Sequence, residues 1–407
     1  MAMQQSSPLL TGVVQFVPTV ERILYGVGVV GTHLDAEVER LRGRRVLLLT
    51  PRSLERGPLA ERVRAVLGPR LVESLTAHFE HVPLESVAEA TAAAHRSGAD
   101  LVVALGGGSV IDAGKAFRTC LAAGITTAQE LDSFMERPAP PAGTFIPQVS
   151  IPTTLSGAEY TRSFSATDFA RGTKRSYTDS AVASRTILYD PTTTLETPPR
   201  LWLASGVMAI DHAVEVFYAS PTHLVGDALK LTALRELLTY LPRTQQAPHD
   251  LDARLHCQVG AWLADHSPLR AQPLMPTATA LPSHALAYEL GALCRVSYGL
   301  TACVTLPACL RWSVARVPQA GARQAELARA LGIALQDSPD AEAASRLAEE
   351  LQALIARLGL PSRLRDVSVS HEDIRRIGRQ FAGRGASLTG AGPASEADVV
   401  TLLESTW

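Results

Sequence analysis

The stretch of sequence that decides the fold is DLVVALGGGS, residues 100–109. A short apolar run leads directly into three glycines and a serine, and a helical pattern begins near Val110. Continuous apolar character over so few residues is typical of a strand buried on both faces of a parallel sheet. The glycines let backbone amides approach an anion, and the helix N-terminus adds unpaired N–H donors and a positive dipole. The turn therefore predicts a strand, a helix and, between them, a binding site for the pyrophosphate of a dinucleotide.

Two charged residues, Asp112 and Lys115, follow within the first two turns of that helix. A lysine so close to a helix start is unfavourable against the dipole by roughly 0.3–1 kcal/mol, and a bound anion would reverse that sign. The sequence contains only three lysines, since arginine supplies the rest of its 38 Lys and Arg residues. We therefore predict a pyrophosphate site made of Gly107, Gly108, Ser109, Asp112 and Lys115. The alternative is a plain strand-to-helix turn with surface charges.

Other candidate strands and helices alternate along the first half of the chain. The strands are expected in 12–31 (strand, turn, strand), RVLLLT at 45–50, HFEHVP at 78–83, PQVSIPTT at 147–154 and TILYDP at 186–191. The helices between them are expected at 35–43, 55–68 and 86–97. This alternation predicts a doubly wound parallel sheet.

The pattern changes after Asp190 and Pro191, where TTTLETPPR at 192–200 has the composition of a connector. From residue 201 onward the apolar residues follow a helical period and no strand-like alternation occurs. Helices are expected at 204–218, 225–241, 250–265, 281–292, 300–315, 320–331, 340–358 and 371–382. We predict an α/β dinucleotide-binding domain over residues 1–195 and an all-helical domain over 196–407.

Composition excludes several classes of function. The net charge is −2 and 46% of the residues are apolar, so nothing indicates a nucleic-acid partner. No stretch reaches the roughly 18 apolar residues that a membrane span needs, and MAMQQSSPLL at the start does not resemble a signal peptide. The five cysteines form no CxxC pair, which argues against a disulfide framework or zinc knuckle. We expect a cytoplasmic protein that acts on a small molecule.

The pattern GGGSxxDxxK at 106–115 resembles the signature of the iron-containing (group III) alcohol dehydrogenase superfamily. Further matches are RILYG at 22–26, PTT at 152–154 with Gly157 and Glu159, YDP at 189–191, SG at 205–206, HAVE at 212–215, His284 and LGA at 290–292. Similarity to maleylacetate reductases within the superfamily is carried by GTKR at 172–175, GAWLA at 260–264, LGLP at 358–361 and LRDV at 364–367. The resemblance implies a dehydroquinate synthase-like fold, with a Rossmann-like N-terminal domain and a helical C-terminal domain. It also implies an active site in the cleft between the two domains, an NADH or NADPH cofactor and a homodimer.

The resemblance also implies which further residues contact the cofactor. They are Thr50, Arg52, Thr153, Thr154, Ser156 and Lys174. NAD-selective relatives carry an aspartate at the position of Pro51, where it would repel a 2′-phosphate. Here no carboxylate stands at that position and Arg52 is adjacent. NADPH should therefore be accepted as well as NADH.

Metal-dependent members of the superfamily bind iron or zinc through one aspartate and three histidines. The corresponding positions hold Met208, His212, His284 and Tyr298, so two of the four ligands are replaced. A thioether is a poor partner for a hard or borderline dication, and two imidazoles alone rarely hold a catalytic metal. Asp211 does not substitute, because one residue along a helix turns its side chain about 100° away. We therefore expect no bound metal.

Without a metal, hydrogen-bond donors must polarise the substrate. The candidate catalytic residues are His212, His284, Tyr298 and Tyr288, which stands where the superfamily has a histidine usually taken as a proton relay. Glu215 lies three residues after His212 and is expected to orient it. The alternative for the two tyrosines is that they only fill the vacated metal cavity.

These observations predict a metal-independent NAD(P)H-dependent reductase, similar to maleylacetate reductases, that transfers hydride to an activated C=C or C=O of a small oxygenated substrate. A biosynthetic tailoring substrate competes with maleylacetate. One alternative is a non-redox lyase or cyclase that uses the same cleft, and another is a degenerate, non-catalytic dehydrogenase homologue. The other nine histidines, His81 among them, have no expected role. Arg295 either meets a substrate carboxylate or is solvated.

Overall fold

The computed structural model describes residues 20–77, 79–138, 141, 143–265, 281–388 and 392–407. Its strands are β1 (Arg22–Tyr25), β2 (Val46–Pro51), β3 (Leu71–Ala77), β4 (Leu101–Gly106), β5 (Gln148–Pro152), β6 (Ser163–Asp168), β7 (Thr173–Thr178) and β8 (Thr186–Tyr189). Six of them form one sheet in the order β1-β8-β5-β4-β2-β3, and every neighbouring pair is parallel. Strands β6 and β7 form a separate antiparallel hairpin. The structure confirms the predicted doubly wound parallel sheet.

Both faces of this sheet are covered by helices, which explains why its central strands are apolar throughout. The helices of this half are α1 (Val29–Arg40), α2 (Pro58–Leu67), α3 (Leu84–Ser97), α4 (Gly108–Ala123) and α5 (Ala128–Glu136). Leu47 of β2 and Val102 of β4 pack in the apolar cluster under α3, α4 and α5, whereas Leu48 and Val103 pack under α1 and α2. Successive residues of a strand point to opposite faces, so each strand needs apolar residues at every position.

The second half of the described chain consists of helices and loops, as predicted. The helices are α6 (Pro199–Ala219), α7 (Leu224–Gln246), α8 (Leu251–Asp265), α9 (Pro282–Cys294), α10 (Tyr298–Arg316), α11 (Pro318–Ala330), α12 (Asp340–Arg357), α13 (His371–Gly383) and α14 (Glu396–Glu404). Helix α6 lies at the centre, because every residue from Trp202 to Ala219 is buried. It packs against α7, α8, α10 and α11.

The strand predicted at 78–83 is wrong. Strand β3 lies earlier, at Leu71–Ala77, and mixes polar with apolar residues because it is an edge strand of the sheet. Residues 79–83 form a turn in which His81 and Val82 have φ angles of 59° and 54°. Such left-handed backbone is incompatible with a strand. His81 therefore lies in a loop at the carboxyl end of the sheet.

Smaller differences concern the ends of elements. Helix α1 begins at Val29 rather than at residue 35, and α5 and α14 were not predicted. Both unpredicted helices begin with a side-chain cap: Thr127 forms a capping box with Glu130, and Ser395 accepts from Asp398 N–H. The part of the first predicted strand that covers 12–19 lies outside the described residues. No helix in the described ranges is both long and apolar enough to cross a membrane.

Candidate active site in the cleft between the two halves

The chain leaves the neighbouring strands β2 and β4 in opposite directions. Strand β2 connects through α2 to β3 on one side, and β4 connects through α4 to β5 on the other. The carboxyl ends of two such strands leave a crevice, which is where ligands bind in doubly wound sheets. A cleft of about 540 Å³ opens there. Residues that follow β2, β4 and β5 line one side, and residues of α6, α9 and α10 line the other.

The glycine turn after β4 forms a cradle at the start of α4. Val110 and Ile111 N–H donate to Gly107 O, whereas the amides of Gly108 and Ser109 have no acceptor among the described residues. A Cβ on Gly107 would lie 3.1 Å from Thr154 Cγ2, and one on Gly108 would lie 2.6 Å from Ser156 Oγ. Any larger residue would crowd the loop after β5, most severely at Gly108. Free amides at a helix N-terminus, with no side chain in front of them, suit a pyrophosphate.

The loop after β5 supplies the other wall of this cradle. Thr153, Thr154 and Ser156 all line the cleft, and Arg52 lines it from the turn after β2. The hydroxyl of Thr154 is buried without a hydrogen-bond partner among the described residues. A buried hydroxyl without a partner is costly, so its position beside Gly107 suits a ligand that supplies the missing hydrogen bond. The residues present therefore fit a dinucleotide.

Two residues expected at the cofactor do not reach it. Lys115 is fully buried and does not line the cleft; its Nζ donates to Thr161 Oγ1 at 2.8 Å, to Ser163 O at 2.9 Å and to Ala158 O. It ties α4 to the loop before β6, so its assignment to a phosphate is corrected. Thr50 is also buried below the cleft, with its Oγ1 3.2 Å from Thr76 Oγ1. A side chain within β2 cannot reach a ligand that lies beyond the strand end.

The four residues expected to carry the chemistry form one cluster on the helical side of the cleft. The ring centroids of His212 on α6 and His284 on α9 are 5.2 Å apart. The ring of Tyr288 lies 5.4 Å from His284, one turn along α9. Tyr298, the first residue of α10, lies 6.1 Å from His284 and 5.6 Å from Tyr288. All four line the cleft opposite the glycine cradle.

The hydrogen bonds of Glu215 go to the start of α9, which carries His284, whereas the sequence led us to expect it at the ring of His212. Its carboxylate accepts from Ser283 N–H at 2.8 Å and from His284 N–H at 3.1 Å. The first amides of a helix lack intrahelical partners, so a buried carboxylate is drawn to the start of α9. Burial raises the pKa of Glu215 to about 7. The carboxylate beside His212 is instead that of Asp265, with Oδ1 4.0 Å from Nδ1.

The hydroxyl of Tyr288 contacts a pair of serines in the β6–β7 hairpin. Its hydroxyl lies 3.2 Å from Ser165 Oγ and 3.2 Å from Ser176 Oγ. The two serines face each other in the ladder, with their hydroxyl oxygens 2.7 Å apart. Ser176 is exposed, so these hydroxyls connect the cleft to the outer surface of the hairpin.

Lys174 extends from β7 into the same cleft. Its side chain is 9% exposed, and its Nζ lies 4.2 Å from the ring centroid of Tyr298 and 5.3 Å from that of Tyr288. No described residue accepts a hydrogen bond from this ammonium or forms an ion pair with it. Burial lowers the pKa of Lys174 to about 8, and the charge of Asp112 opposes the shift. The lysine is therefore a buried cation held mainly by two aromatic faces.

His81 also lines the cleft, although no role was expected for it. It is 5% exposed, and its Nε2 is buried without a hydrogen-bond partner among the described residues. Burial, with the charge of Lys174, lowers the pKa of His81 to about 4. The sequence could have indicated His81 through its position just after a strand of the sheet. The incorrect prediction of a strand at 78–83 concealed that position. Arg295 is exposed, with its guanidinium over Phe169, and does not line the cleft.

Two of the side chains near His212 and His284 are poor ligands for a catalytic metal. Met208 offers a thioether, and Tyr298 offers a phenol whose pKa is raised well above its usual value, mainly by burial. Iron and zinc sites need carboxylate, thiolate or further imidazole ligands. Within the described ranges, no three or more His, Cys, Asp or Glu side chains are grouped so that they could hold a metal ion.

Comparisons with known proteins agree with this architecture. The model "Iron-containing alcohol dehydrogenase" matches residues 20–191, and "Fe-containing alcohol dehydrogenase family, C-terminal" matches 202–407. Maleylacetate reductase from Burkholderia cepacia is 33% identical over 347 residues, which are 85% of this chain and 87% of that protein. The crystal structure of maleylacetate reductase from Agrobacterium tumefaciens is 25% identical, with a TM-score of 0.72 over 98% of this chain and 99% of that one.

A more distant structure shares the fold. NADH-dependent butanol dehydrogenase A from Thermotoga maritima is 20% identical, with a TM-score of 0.84 over 96% of this chain and 98% of that one. The two family models together span nearly all of the described chain, and they meet at the connector between the sheet and α6. The chain belongs to the iron-containing alcohol dehydrogenase family of oxidoreductases.

Proposed function

We propose that this protein is a metal-independent, NAD(P)H-dependent reductase of a small oxygenated substrate, with a reaction like that of maleylacetate reductases. The observation that carries the proposal is the pairing of two surfaces across one cleft. The cradle at Gly107 and Gly108 is present, while Met208 and Tyr298 line the cleft at the positions where the resemblance implies metal ligands. The cofactor side is therefore kept and the metal side is replaced by protein donors.

The cradle would hold the pyrophosphate of the cofactor. The free amides of Gly108 and Ser109 supply hydrogen bonds, and the hydroxyl of Thr154 gains the partner that it lacks. Arg52 lines the cleft beside Pro51, and no carboxylate stands there to repel a 2′-phosphate. Both NADPH and NADH are therefore proposed as cofactors.

A bound NAD(P)H would supply the hydride to a carbon of the C=O or C=C bond, and the reduction takes up one proton. Tyr288 is placed to give that proton to the carbonyl oxygen or to the second carbon. The Ser165–Ser176 pair touches its hydroxyl and can pass a replacement proton inward from the surface. His284, fixed through the cap that Glu215 places on α9, is available to polarise the acceptor.

In this proposal, hydrogen-bond donors of the protein take the place of the metal. A metal-dependent relative would polarise the substrate oxygen with a Lewis acid, whereas here hydrogen bonds from a phenol and an imidazole must do so. Tyr298 remains neutral at physiological pH, because burial raises its pKa well above the usual value. A neutral phenol can donate a hydrogen bond to a developing oxyanion.

The test is to follow NAD(P)H oxidation and product formation in the same reaction, with maleylacetate and other small oxo and enoic acids as substrates. We expect one NAD(P)H to be consumed for each product molecule. Tyr288→Phe should lower kcat, while Tyr240→Phe on α7, where Tyr240 stacks on His256 outside the cleft, should leave it unchanged. Product that forms without consumption of NAD(P)H would instead identify a lyase or cyclase. Absence of NAD(P)H binding would identify a non-catalytic homologue.

A further inference from the structure

The ammonium of Lys174 is an unusual feature of the cleft. Lysine is rarely buried without a partner, because removal of a charge from water costs several kcal/mol unless another charge or several hydrogen bonds compensate it. Here the side chain is 9% exposed and has neither an acceptor nor an ion pair among the described residues. The faces of Tyr298 and Tyr288 offset only part of that cost.

The nearest acidic group does not neutralise this ammonium. Asp112 on α4 influences Lys174 through its charge, but its Oδ1 is 3.1 Å from Lys115 Nζ, and a backbone hydrogen bond from Ser165 also reaches it. Burial raises the pKa of Asp112, and the charges of Lys115 and Lys174 oppose that shift. The part of the cleft around Lys174 therefore has a surplus of positive charge.

His81 is a second polar residue in the part of the cleft around Lys174. His81 lies within the field of Lys174, and its ring is 6.5 Å from that of Tyr298. Thr167, which pairs with Lys174 across the hairpin, donates through Oγ1 to His81 O at 2.6 Å. The backbone at His81 is held in a left-handed conformation, with φ of 59°. Non-glycine residues rarely adopt this conformation, and such strain is concentrated at ligand sites.

We propose that Lys174, Tyr288 and Tyr298 form a subsite for a carboxylate of the substrate, with the ring of His81 at its border. The substrate is then a small carboxylic acid whose reducible C=O or C=C bond lies within a few bonds of that carboxylate, since Tyr288 both borders the subsite and stands as proton donor. Lys174 supplies the charge, and the phenols supply hydrogen bonds. The identity of the reaction rests on the proposed function, but the binding of a carboxylate does not.

The competing ligand for Lys174 is a phosphate of the cofactor, which the family resemblance implied. The cradle for that group lies at the start of α4, against Thr154 and Ser156. Lys174 is instead packed against the rings of α9 and α10, on the helical side of the cleft. Both ligands are anions, so separate binding measurements must distinguish them.

The experiment measures two dissociation constants by calorimetry on the full-length protein, one for NADPH and one for succinate with NADP⁺ bound. Lys174→Gln is expected to weaken succinate on the order of 100-fold and to change NADPH binding less than threefold. Lys174→Arg should restore part of the succinate affinity, because it returns the charge.

Two controls make the result specific. Arg171→Gln removes one exposed positive charge from the turn of the same hairpin and should leave both constants unchanged. Dimethyl succinate, which has the same carbon skeleton without charge, should not bind measurably to the unmodified protein. Loss of NADPH affinity in Lys174→Gln with intact succinate binding would overturn the proposal in favour of the cofactor phosphate. Succinate that binds the unmodified protein and Lys174→Gln equally would overturn it outright.

This design separates the subsite from the reaction. If NAD(P)H is never oxidised but succinate binding depends on Lys174, the proposed reduction fails and the carboxylate subsite stands. If NAD(P)H is oxidised with neutral aldehydes as fast as with oxo acids, the reductase stands and the carboxylate subsite fails.

Discussion

Replacement of Lys174 by methionine should stabilise the folded protein, because it removes a buried charge and keeps a side chain of similar length. Burial lowers the pKa of this lysine from 10.5 to about 8. At about 1.4 kcal/mol per pKa unit, the buried ammonium costs about 3 kcal/mol near neutral pH. The cation–π attraction to Tyr298 and Tyr288, which the variant lacks, contributes about 0.5–2 kcal/mol in the opposite direction. The free energy of unfolding should therefore increase by about 1–3 kcal/mol.

The pH dependence of this gain has a definite sign. The folded pKa lies below the unfolded one, so the unfolded chain binds more protons between about pH 8 and pH 10.5. The wild-type protein therefore gains stability as pH rises through that window. The difference between variant and wild type should be full below about pH 8 and absent above about pH 10.5. The groups that face Lys174 are Asp112, His81, Tyr288 and Tyr298; the pKa of His81 is about 4 and that of Tyr298 is well above 10.

The assay is urea unfolding followed by tryptophan fluorescence, near pH 7 and near pH 10.5, for wild type, Lys174→Met and the exposed control Arg171→Gln. When both proteins are already saturated with NADP⁺, added succinate should raise the unfolding midpoint of the wild type further and not that of Lys174→Met, because only the wild type retains the ammonium. A variant that is no more stable than wild type near pH 7 would refute this account. So would a stability difference that does not shrink as pH rises.

Three further predictions concern the cofactor side and the proton donor. Gly108→Ala places a Cβ 2.6 Å from Ser156 Oγ and should weaken NAD(P)H binding at least about tenfold in a fluorescence titration, whereas Gly31→Ala on α1, which meets nothing within 4 Å, should not. Tyr288→Phe should lower kcat roughly 100-fold with little change in the Kd of NAD(P)H; an unchanged kcat would leave the phenol a mere filler of the cavity. Pro51→Asp should weaken NADPH about tenfold relative to NADH, by repulsion of the 2′-phosphate; equal effects on both cofactors would place Pro51 away from that phosphate.

The sheet was predictable because its central strands are buried on both faces. LVVALG and VLLLTP must be apolar at every position, and such runs stand out in a sequence. The edge strand β3 has no such run, and the sequence analysis placed the strand in the loop that follows it. The consequence of that error was functional, since it placed His81 inside a strand instead of in the cleft.

The candidate site was predicted best where spacing along one element determined it. His284 and Tyr288 lie one turn apart on α9, and the glycine turn directly precedes α4, so local geometry fixed both. The partners of buried charges were not predictable in this way. Lys115 is bonded to residues that follow β5, and Glu215 caps a helix from another part of the chain. Such contacts depend on tertiary packing, which local spacing does not encode.

The account's central claim is that the reduction requires no metal, in contrast to the metal-dependent relatives. The measurement is the rate of NAD(P)H oxidation with an oxo or enoic acid, on enzyme dialysed against EDTA and shown by elemental analysis to contain no iron or zinc. The rate should equal that of the untreated enzyme and should not increase when Fe²⁺ or Zn²⁺ is added, because protein donors polarise the substrate. A rate that falls to the background after EDTA and returns with either metal would contradict the account.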